Sequence, residues 1–178
     1  LEGSVLGAPP PDGAWAQFPS FAKANGIDIS KVKVEPVGFP TREPMLAEGK
    51  VDSVTGFSFS SYLNLVRLGV PEEDISTILM ADHGLKLYGN AVIVNTDYAK
   101  NNSDMVKKFL VAIGAGWRDA IKDPKAAAAA LVKRNPAADA ALEQRRLQLA
   151  IDANVLTDYV KANGCLLYTS DAADDRMR

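Results

Sequence analysis

The sequence predicts an α/β fold in which one mostly parallel sheet is flanked by helices and followed by a helical segment. Three observations predict this class. Short apolar runs alternate with helically spaced apolar residues over residues 1–94. The connections between these segments are short and contain glycine, proline or a hydroxyl residue. From residue 95 onward only helical spacing is found, so the predicted sheet belongs to the first part of the chain.

Five short apolar segments are predicted to form the strands of the sheet. They lie at residues 4–8, 32–37, 51–55, 75–80 and 88–94. Because strand and helix alternate, we expect neighbouring strands to pair in parallel. The carboxyl ends of parallel strands meet at one edge of a sheet, where open α/β folds bind ligands.

The first predicted helix follows the turn after residues 4–8. Trp15, Phe18 and Phe21 recur at helical spacing, and the Asn-Gly pair at 25–26 is a usual helix end. Pro19 is difficult to place inside a helix because it lacks a backbone donor and clashes with the preceding turn. Either the helix kinks there or it starts near residue 18.

Two further helices are predicted before residue 75. Thr41 is a candidate N-cap for the second helix, which stops at Gly49. Ser58 or Ser60 is a candidate cap for the third, which ends at Gly69.

Three helices are predicted after residue 95. The first begins at Ser103 and ends at the Asp-Pro pair 123–124, and the second covers residues 125–134. The last carries an apolar stripe formed by Leu142, Leu149, Ala153, Leu156 and Val160. These helices need additional apolar surface to pack against.

Composition excludes several classes of function. The chain has 178 residues, 47% hydrophobic and 24% charged, which is an ordinary globular balance with enough apolar material for a core. The net charge is −2 and no basic block occurs, so nucleic acid is not expected as the main partner. No apolar run is long enough to cross a bilayer.

Residues 165–178 are expected to be a non-native tail. They resemble one reading frame of a transposase adapter used in short-read DNA library preparation, and a genuine polar tail is the alternative. The tail holds Cys165, the only cysteine. Residues 1–164 then have no disulfide, thiolate metal ligand or cysteine nucleophile, which is compatible with an oxidising compartment.

Five sequence segments resemble a known family. They are Leu1–Gly3, Val5–Gly7, Gly38–Arg42, Glu48–Asp52 and Tyr88–Val94. In order and spacing they are similar to the nitrate, sulfonate and thiamine-pyrimidine group of ABC substrate-binding proteins.

The resemblance implies a type II periplasmic binding protein fold, with ligand held in a cleft between two α/β lobes. Residues 1–94 would form the second lobe, and residues 95–164 would return to an incomplete first lobe. The missing half of that lobe, with any signal segment or lipid anchor, is expected to precede Leu1. The resemblance also implies a periplasmic or lipid-anchored monomer with a small-molecule ligand, an ABC transporter permease as partner, and no cofactor or metal.

Three loops are predicted to meet the ligand, at residues 9–15, 38–42 and 56–61. Amides, hydroxyls and aromatic faces in these loops suit a small polar ligand. With one residue from the return strand, the predicted ligand-binding residues are Asp12, Gly13, Ala14, Trp15, Thr41, Arg42, Phe57, Ser58 and Asn90.

Each of these residues also has a purely structural interpretation. Trp15 either stacks on ligand or belongs to the core. Arg42 at a helix start, where a cation is unfavourable, either binds an anion or faces solvent. Phe57 could be core, Ser58 could be only a helix cap, and Asn90 could only brace the hinge between the lobes.

The sequence shows no sign of catalysis. The carboxylates Asp12, Glu43 and Asp52 lie near predicted loops, but nothing in the sequence pairs them, and His83 is the only histidine. A related fungal enzyme that builds the thiamine pyrimidine carries a cysteine-rich motif with no counterpart before residue 165. A ligand-sensing domain of a signalling protein remains the alternative to a transport component.

Overall fold

The computed structural model describes residues 1–85, 87 and 92–163, and it divides the chain into two compact units, Leu1–Gly89 and Asn90–Arg178. In the described parts, the first unit contains strands and helices, and the second contains helices. The predicted α/β class is therefore confirmed. The lobe boundary after residue 94 and the non-native tail from residue 165 stay predictions, and that tail lies outside the described residues.

The sheet has three parallel strands in the order β2-β1-β3. The strands are β1 (Val5–Ala8), β2 (Lys33–Pro36) and β3 (Ser53–Val54). Leu6 of the central strand pairs with Val34 on one side and Ser53 on the other. The three strands correspond to the first three predicted segments, although β3 is shorter than expected.

The fourth predicted strand is wrong. Residues 75–80 carry the β-branched residues expected of a strand, yet the structure assigns no strand to them and leaves Ile78 exposed. Strand propensity is realised only against a partner strand, and within the described residues no strand pairs with this segment. Of the fifth predicted strand, residues 88–91 lie outside the described part, and residues 92–94 are not assigned as strand.

Three helices of the first unit follow the three strands. They are α1 (Gly13–Ala24), α2 (Arg42–Ala47) and α3 (Ser58–Arg67). Helix α1 starts at Gly13 and includes an exposed Pro19, so the start near residue 18 is wrong. Asn25 caps its end, as predicted.

The predicted caps of α2 and α3 are only partly correct. Thr41 occupies the N-cap position of α2, but its side chain bonds the amide and carbonyl of Gly38, at 3.2 and 3.1 Å. Phe57, not Ser58 or Ser60, is the N-cap of α3, and it makes no side-chain capping bond. A helix start depends on backbone conformation as well as on residue type, and Phe57 has the extended conformation of an N-cap although it offers no capping oxygen.

The core of the first unit lies between α1 and the sheet. Its buried residues are Leu6, Phe18, Phe21, Ala22 and Val32. Full burial of a large apolar side chain stabilises the fold by about 1.5–3 kcal/mol, so these residues dominate the stability of this unit.

Five helices are described in the second unit: α4 (Thr96–Asn101), α5 (Ser103–Lys122), α6 (Pro124–Arg134), α7 (Ala140–Ala150) and α8 (Asp158–Asn163). Asp123 caps α6 by accepting the amide of Ala126 at 2.9 Å, with Pro124 at the first helical position. The Asp-Pro pair ends α5, as predicted, and also begins α6. Among the described residues, no helix combines the length and hydrophobicity needed to cross a membrane.

The last predicted helix is not continuous. A π-helical turn at Ile151–Val155 follows α7, and α8 begins after a break at residues 156–157. The amide of Leu156 donates to the carbonyl of Ile151 at 2.7 Å, five residues back. A π turn of this kind changes the helical phase, so the apolar stripe is divided between two helices.

Candidate functional site

The carboxyl edge of the sheet gathers the three loops that the sequence predicted to meet a ligand. Helices α1, α2 and α3 all begin there, after β1, β2 and β3 respectively. Backbone bonds extend the ladder into the loops: the amide of Val37 donates to Ala8 and the amide of Thr55 donates to Gly7. The parallel topology therefore places three helix N-termini on one side of the sheet.

Asp12 ties the first loop to the third. Its side chain is buried, with 5% of the residue exposed. One carboxylate oxygen accepts the amide of Ala14 at 3.1 Å, which caps α1, and the other accepts the hydroxyl of Thr55 at 2.7 Å. Asp12 is thus held from both sides, and its carboxylate is turned into the protein.

Arg42 lies at the centre of the site and is 7% exposed, so the interpretation that it faces solvent is wrong. Its Nε and Nη2 atoms donate to one oxygen of Glu43 at 3.0 and 2.6 Å. Nη2 also donates to the hydroxyl of Ser61 at 3.0 Å, and Nη1 lies 3.7 Å from Asp12 Oδ2. The two carboxylates offset the unfavourable position of a cation at the start of a helix.

These contacts form a buried ion network, defined here as Asp12, Arg42, Glu43, Thr55 and Ser61. It joins the start of α1, the start of α2, the end of β3 and the first turns of α3. The expectation that nothing pairs Asp12 with Glu43 is wrong, because Arg42 contacts both. The sequence could not show this pairing, since its members come from separate loops.

The pKa of Glu43 is lowered from its ordinary value of 4.5. Burial acts most strongly and would raise the pKa, but hydrogen bonds from Arg42 and Ser61, together with the Arg42 charge, outweigh it. Glu43 is therefore ionised at neutral pH and stays bonded to the guanidinium.

Gly56 allows the network to close. A Cβ at this position would lie 2.4 Å from Ser61 Oγ and 3.0 Å from Arg42 Cζ. No side chain fits at that separation without displacing the network.

Above the network lies a rim of more accessible residues, defined here as Gly13, Phe39, Thr41, Phe57 and Ser58. Phe39 is 50% exposed, with its ring 5.8 Å from Arg42 Cζ. Phe57 is 44% exposed and stacks on Phe59, with 5.5 Å between ring centroids. Exposed aromatic faces beside polar groups are typical of small-molecule sites.

The predicted site residues occupy different places in the structure. Gly13, Thr41, Phe57 and Ser58 lie on the rim, while Asp12 and Arg42 lie beneath it. Ala14 gives its amide to Asp12. Asn90 lies outside the described residues.

Trp15 packs against the core and stacks on Phe18 with 5.5 Å between ring centroids, as its core interpretation requires. Phe39, Thr55 and Ser61 were missed as site residues. The sequence did indicate Phe39, because it stands between Gly38 and Pro40 in the same predicted loop as Arg42. Ser61 lies in the predicted loop 56–61 but was not singled out, and Thr55 was not predicted at all, because burial of a hydroxyl depends on the tertiary fold.

The remaining titratable candidates lie elsewhere. Asp52 is at the opposite end of β1, where it accepts the amide of Val5 at 2.7 Å. His83 is exposed and places its ring edge on Phe21. Within the described residues, no group of three or more histidines, cysteines or carboxylates is arranged to hold a metal.

Comparison with known proteins places the chain in a family. The family model described as NMT1/THI5 like matches residues 1–127, which include the whole first unit and all three loops of the site. A search among curated proteins found no match.

Proposed function

Since the chain belongs to the NMT1/THI5-like family, we propose that it captures a small solute in a cleft between two lobes and delivers it to an ABC importer. The family is the nitrate, sulfonate and thiamine-precursor group, with a type II periplasmic binding fold and mostly solute-binding members. The match over residues 1–127 is the observation that carries the proposal.

The geometry of the first unit supports a binding role. Three loops converge at the carboxyl edge of a parallel sheet, where ligands of open α/β folds bind. The network beneath the rim joins these loops through buried contacts, and preformed surfaces bind small ligands with less loss of entropy.

The ligand is proposed to contact the rim rather than the network. Phe57 and Phe39 would offer aromatic faces, and Gly13, Thr41 and Ser58 would offer backbone and hydroxyl groups. The other lobe would close over this rim, with Asn90 near the crossing between lobes.

The charge around the rim bears on the class of ligand. Arg42 already bonds Glu43 and lies beside Asp12, so its guanidinium is not presented to an anion. Two exposed aromatic rings suit a flat organic ligand better than nitrate. We therefore place pyrimidine-like compounds before sulfonates and nitrate-like anions as candidates.

The cellular setting is part of the same proposal. A solute-binding protein of this kind works as a monomer in the periplasm or anchored outside the cytoplasmic membrane. Its partners would be the solute and the membrane permease, and it would use no cofactor.

A thermal-shift screen tests the function. The protein is heated with nitrate, bicarbonate, alkyl sulfonates and aminopyrimidines, and a ligand that binds only the folded state raises the melting temperature. At a hundred times its dissociation constant, a ligand stabilises the fold by about 2.7 kcal/mol. Chemical conversion of any of these compounds by the protein would contradict a binding function.

Two matched variants locate the site. Phe57→Ala removes an exposed ring at the carboxyl edge and is expected to weaken binding of a responding pyrimidine about tenfold. Ile29→Ala removes an exposed apolar side chain just before β2, at the other end of the sheet, and should leave binding unchanged. Equal effects of both variants would contradict the proposed location.

A further inference from the structure

We propose that Arg42 is a positioning residue that couples the three rim loops, so that they hold one shape before any ligand arrives. This rests on the proposed function, because a preformed rim matters only if it meets a ligand. Arg42 itself is buried beneath Phe39 and is not assigned a contact with the solute.

One guanidinium joins several elements of the first unit. Its three nitrogens reach Asp12 before α1, Glu43 in α2 and Ser61 in α3. Asp12 extends the connection to Thr55 at the end of β3. A shift of any one loop therefore disturbs a bond to another loop.

Arg42 also supports an exposed aromatic ring of the rim. Phe39 lies in the loop after β2, and half of its surface is accessible. Its ring lies 5.8 Å from the Arg42 guanidinium carbon, within the range of a cation–π contact. The residue that joins the loops from below therefore also orients an aromatic group of the rim.

The contacts of residue 42 require an arginine rather than another cation. A planar guanidinium can direct separate N–H groups at Glu43 and Ser61 while a third nitrogen lies 3.7 Å from Asp12 and its carbon lies 5.8 Å from the centre of the Phe39 ring. A lysine ammonium keeps the charge, but it is a point donor on a flexible stem. Charge alone therefore does not reproduce the coupling.

Amide hydrogen exchange of the 178-residue chain tests this coupling without a ligand. Thr55→Val keeps the side-chain shape and removes the hydroxyl that donates to Asp12. We expect about tenfold faster exchange at Ala14 in the first loop, with exchange in the β1–β2 ladder unchanged. Arg42→Lys should accelerate exchange at Ala14, Thr41 and Thr55 together.

Ser53→Ala is the matched control. Ser53 lies in β3, two residues before Thr55, and its buried hydroxyl has no hydrogen-bond partner among the described residues. Its removal should leave exchange in all three loops unchanged. A residue that only stabilises the fold would instead raise exchange equally in the loops and in the ladder.

Two results would overturn the proposal. One is an equal rise of amide exchange in the loops and in the β1–β2 ladder. The other is faster exchange only in the substituted loop, for both Thr55→Val and Arg42→Lys. The outcome is independent of the thermal-shift screen. Coupled loops in a protein that binds none of the screened compounds would leave Arg42 as a positioning residue and count against the proposed function alone.

Discussion

The two ends of the small sheet carry similar charged groups in opposite environments. At the carboxyl end, Asp12, Arg42 and Glu43 are buried, and Arg42 donates to Glu43 and lies 3.7 Å from Asp12. At the amino end, Lys31 lies 3.4 Å from Glu2 and 3.7 Å from Asp28, with all three side chains largely in solvent. The difference teaches that burial, not the number of ion pairs, decides how much a cluster matters.

The two ends of the sheet differ in how the stability of the fold responds when one member of an ion pair is removed. Exposed pairs are screened by water and salt and contribute little. A buried pair has already lost its hydration, so removing one member leaves an uncompensated charge in a poor solvent. The carboxyl end should therefore be sensitive to single changes, whereas the amino end should tolerate them.

The largest difference between the two ends is expected when the cation of each network, Arg42 or Lys31, is replaced. Arg42→Met leaves two buried carboxylates without their guanidinium and should lower the free energy of unfolding by about 3–5 kcal/mol. Lys31→Met should leave that free energy nearly unchanged. Urea denaturation of both variants measures the difference, and similar losses would contradict the importance of burial.

A second test uses the space around the network. Gly56→Ala places a methyl group against Ser61 and Arg42 and should lower the free energy of unfolding by about 1–3 kcal/mol. The control is Gly13→Ala at the same edge, where a Cβ meets nothing within 4 Å. That variant should be neutral or stabilise the fold by up to about 1 kcal/mol. A harmless Gly56→Ala would show that the network has room to move.

The smallest effect concerns pH. The pKa of Glu43 is lower in the folded protein than its ordinary 4.5, so ionised Glu43 stabilises the fold above that pH. This contribution is lost as the pH falls through the folded pKa. Glu43→Gln should therefore flatten the decline of stability below pH 4.5, measured by denaturation at several pH values.

Added salt should separate the contributions of exposed and buried carboxylates to the pH dependence of stability. Glu2 also has a lowered pKa, through the amide of Asp28 and then Lys31, but it lies at the exposed surface. Its contribution should weaken at about 1 M salt, whereas that of Glu43 should persist. If Glu2→Gln and Glu43→Gln lose their effects equally in salt, the two ends do not differ as described.

Local patterns were sufficient for much of the fold. Helical spacing and turn residues predicted α1, α2 and α3, and Asp123-Pro124 correctly marked the end of α5. The same reasoning failed at residues 75–80, because an apolar β-branched run becomes a strand only beside a partner. It also missed the π-helical turn at Ile151–Val155, which no residue pattern announced.

The candidate site was predicted only in outline. That the loops after β1, β2 and β3 meet at one edge follows from parallel pairing, and the sequence supported it. Which side chains would be buried there did not follow. Arg42 looked like a surface cation or an anion ligand, yet the fold encloses it between Asp12 and Glu43.

By itself, the sequence determined the α/β class, the family resemblance and the three loops of the site, since these depend on local spacing and short motifs. Only the tertiary structure decided that Asp12, Arg42, Glu43, Thr55 and Ser61 form one network, while Phe39 and Phe57 remain exposed. Contacts between residues distant in the chain depend on where the sheet brings the loops, and burial then fixes their energies. The sequence names a charged residue in the same way whether it lies in solvent or in a core, but its contribution to the free energy of folding differs between the two.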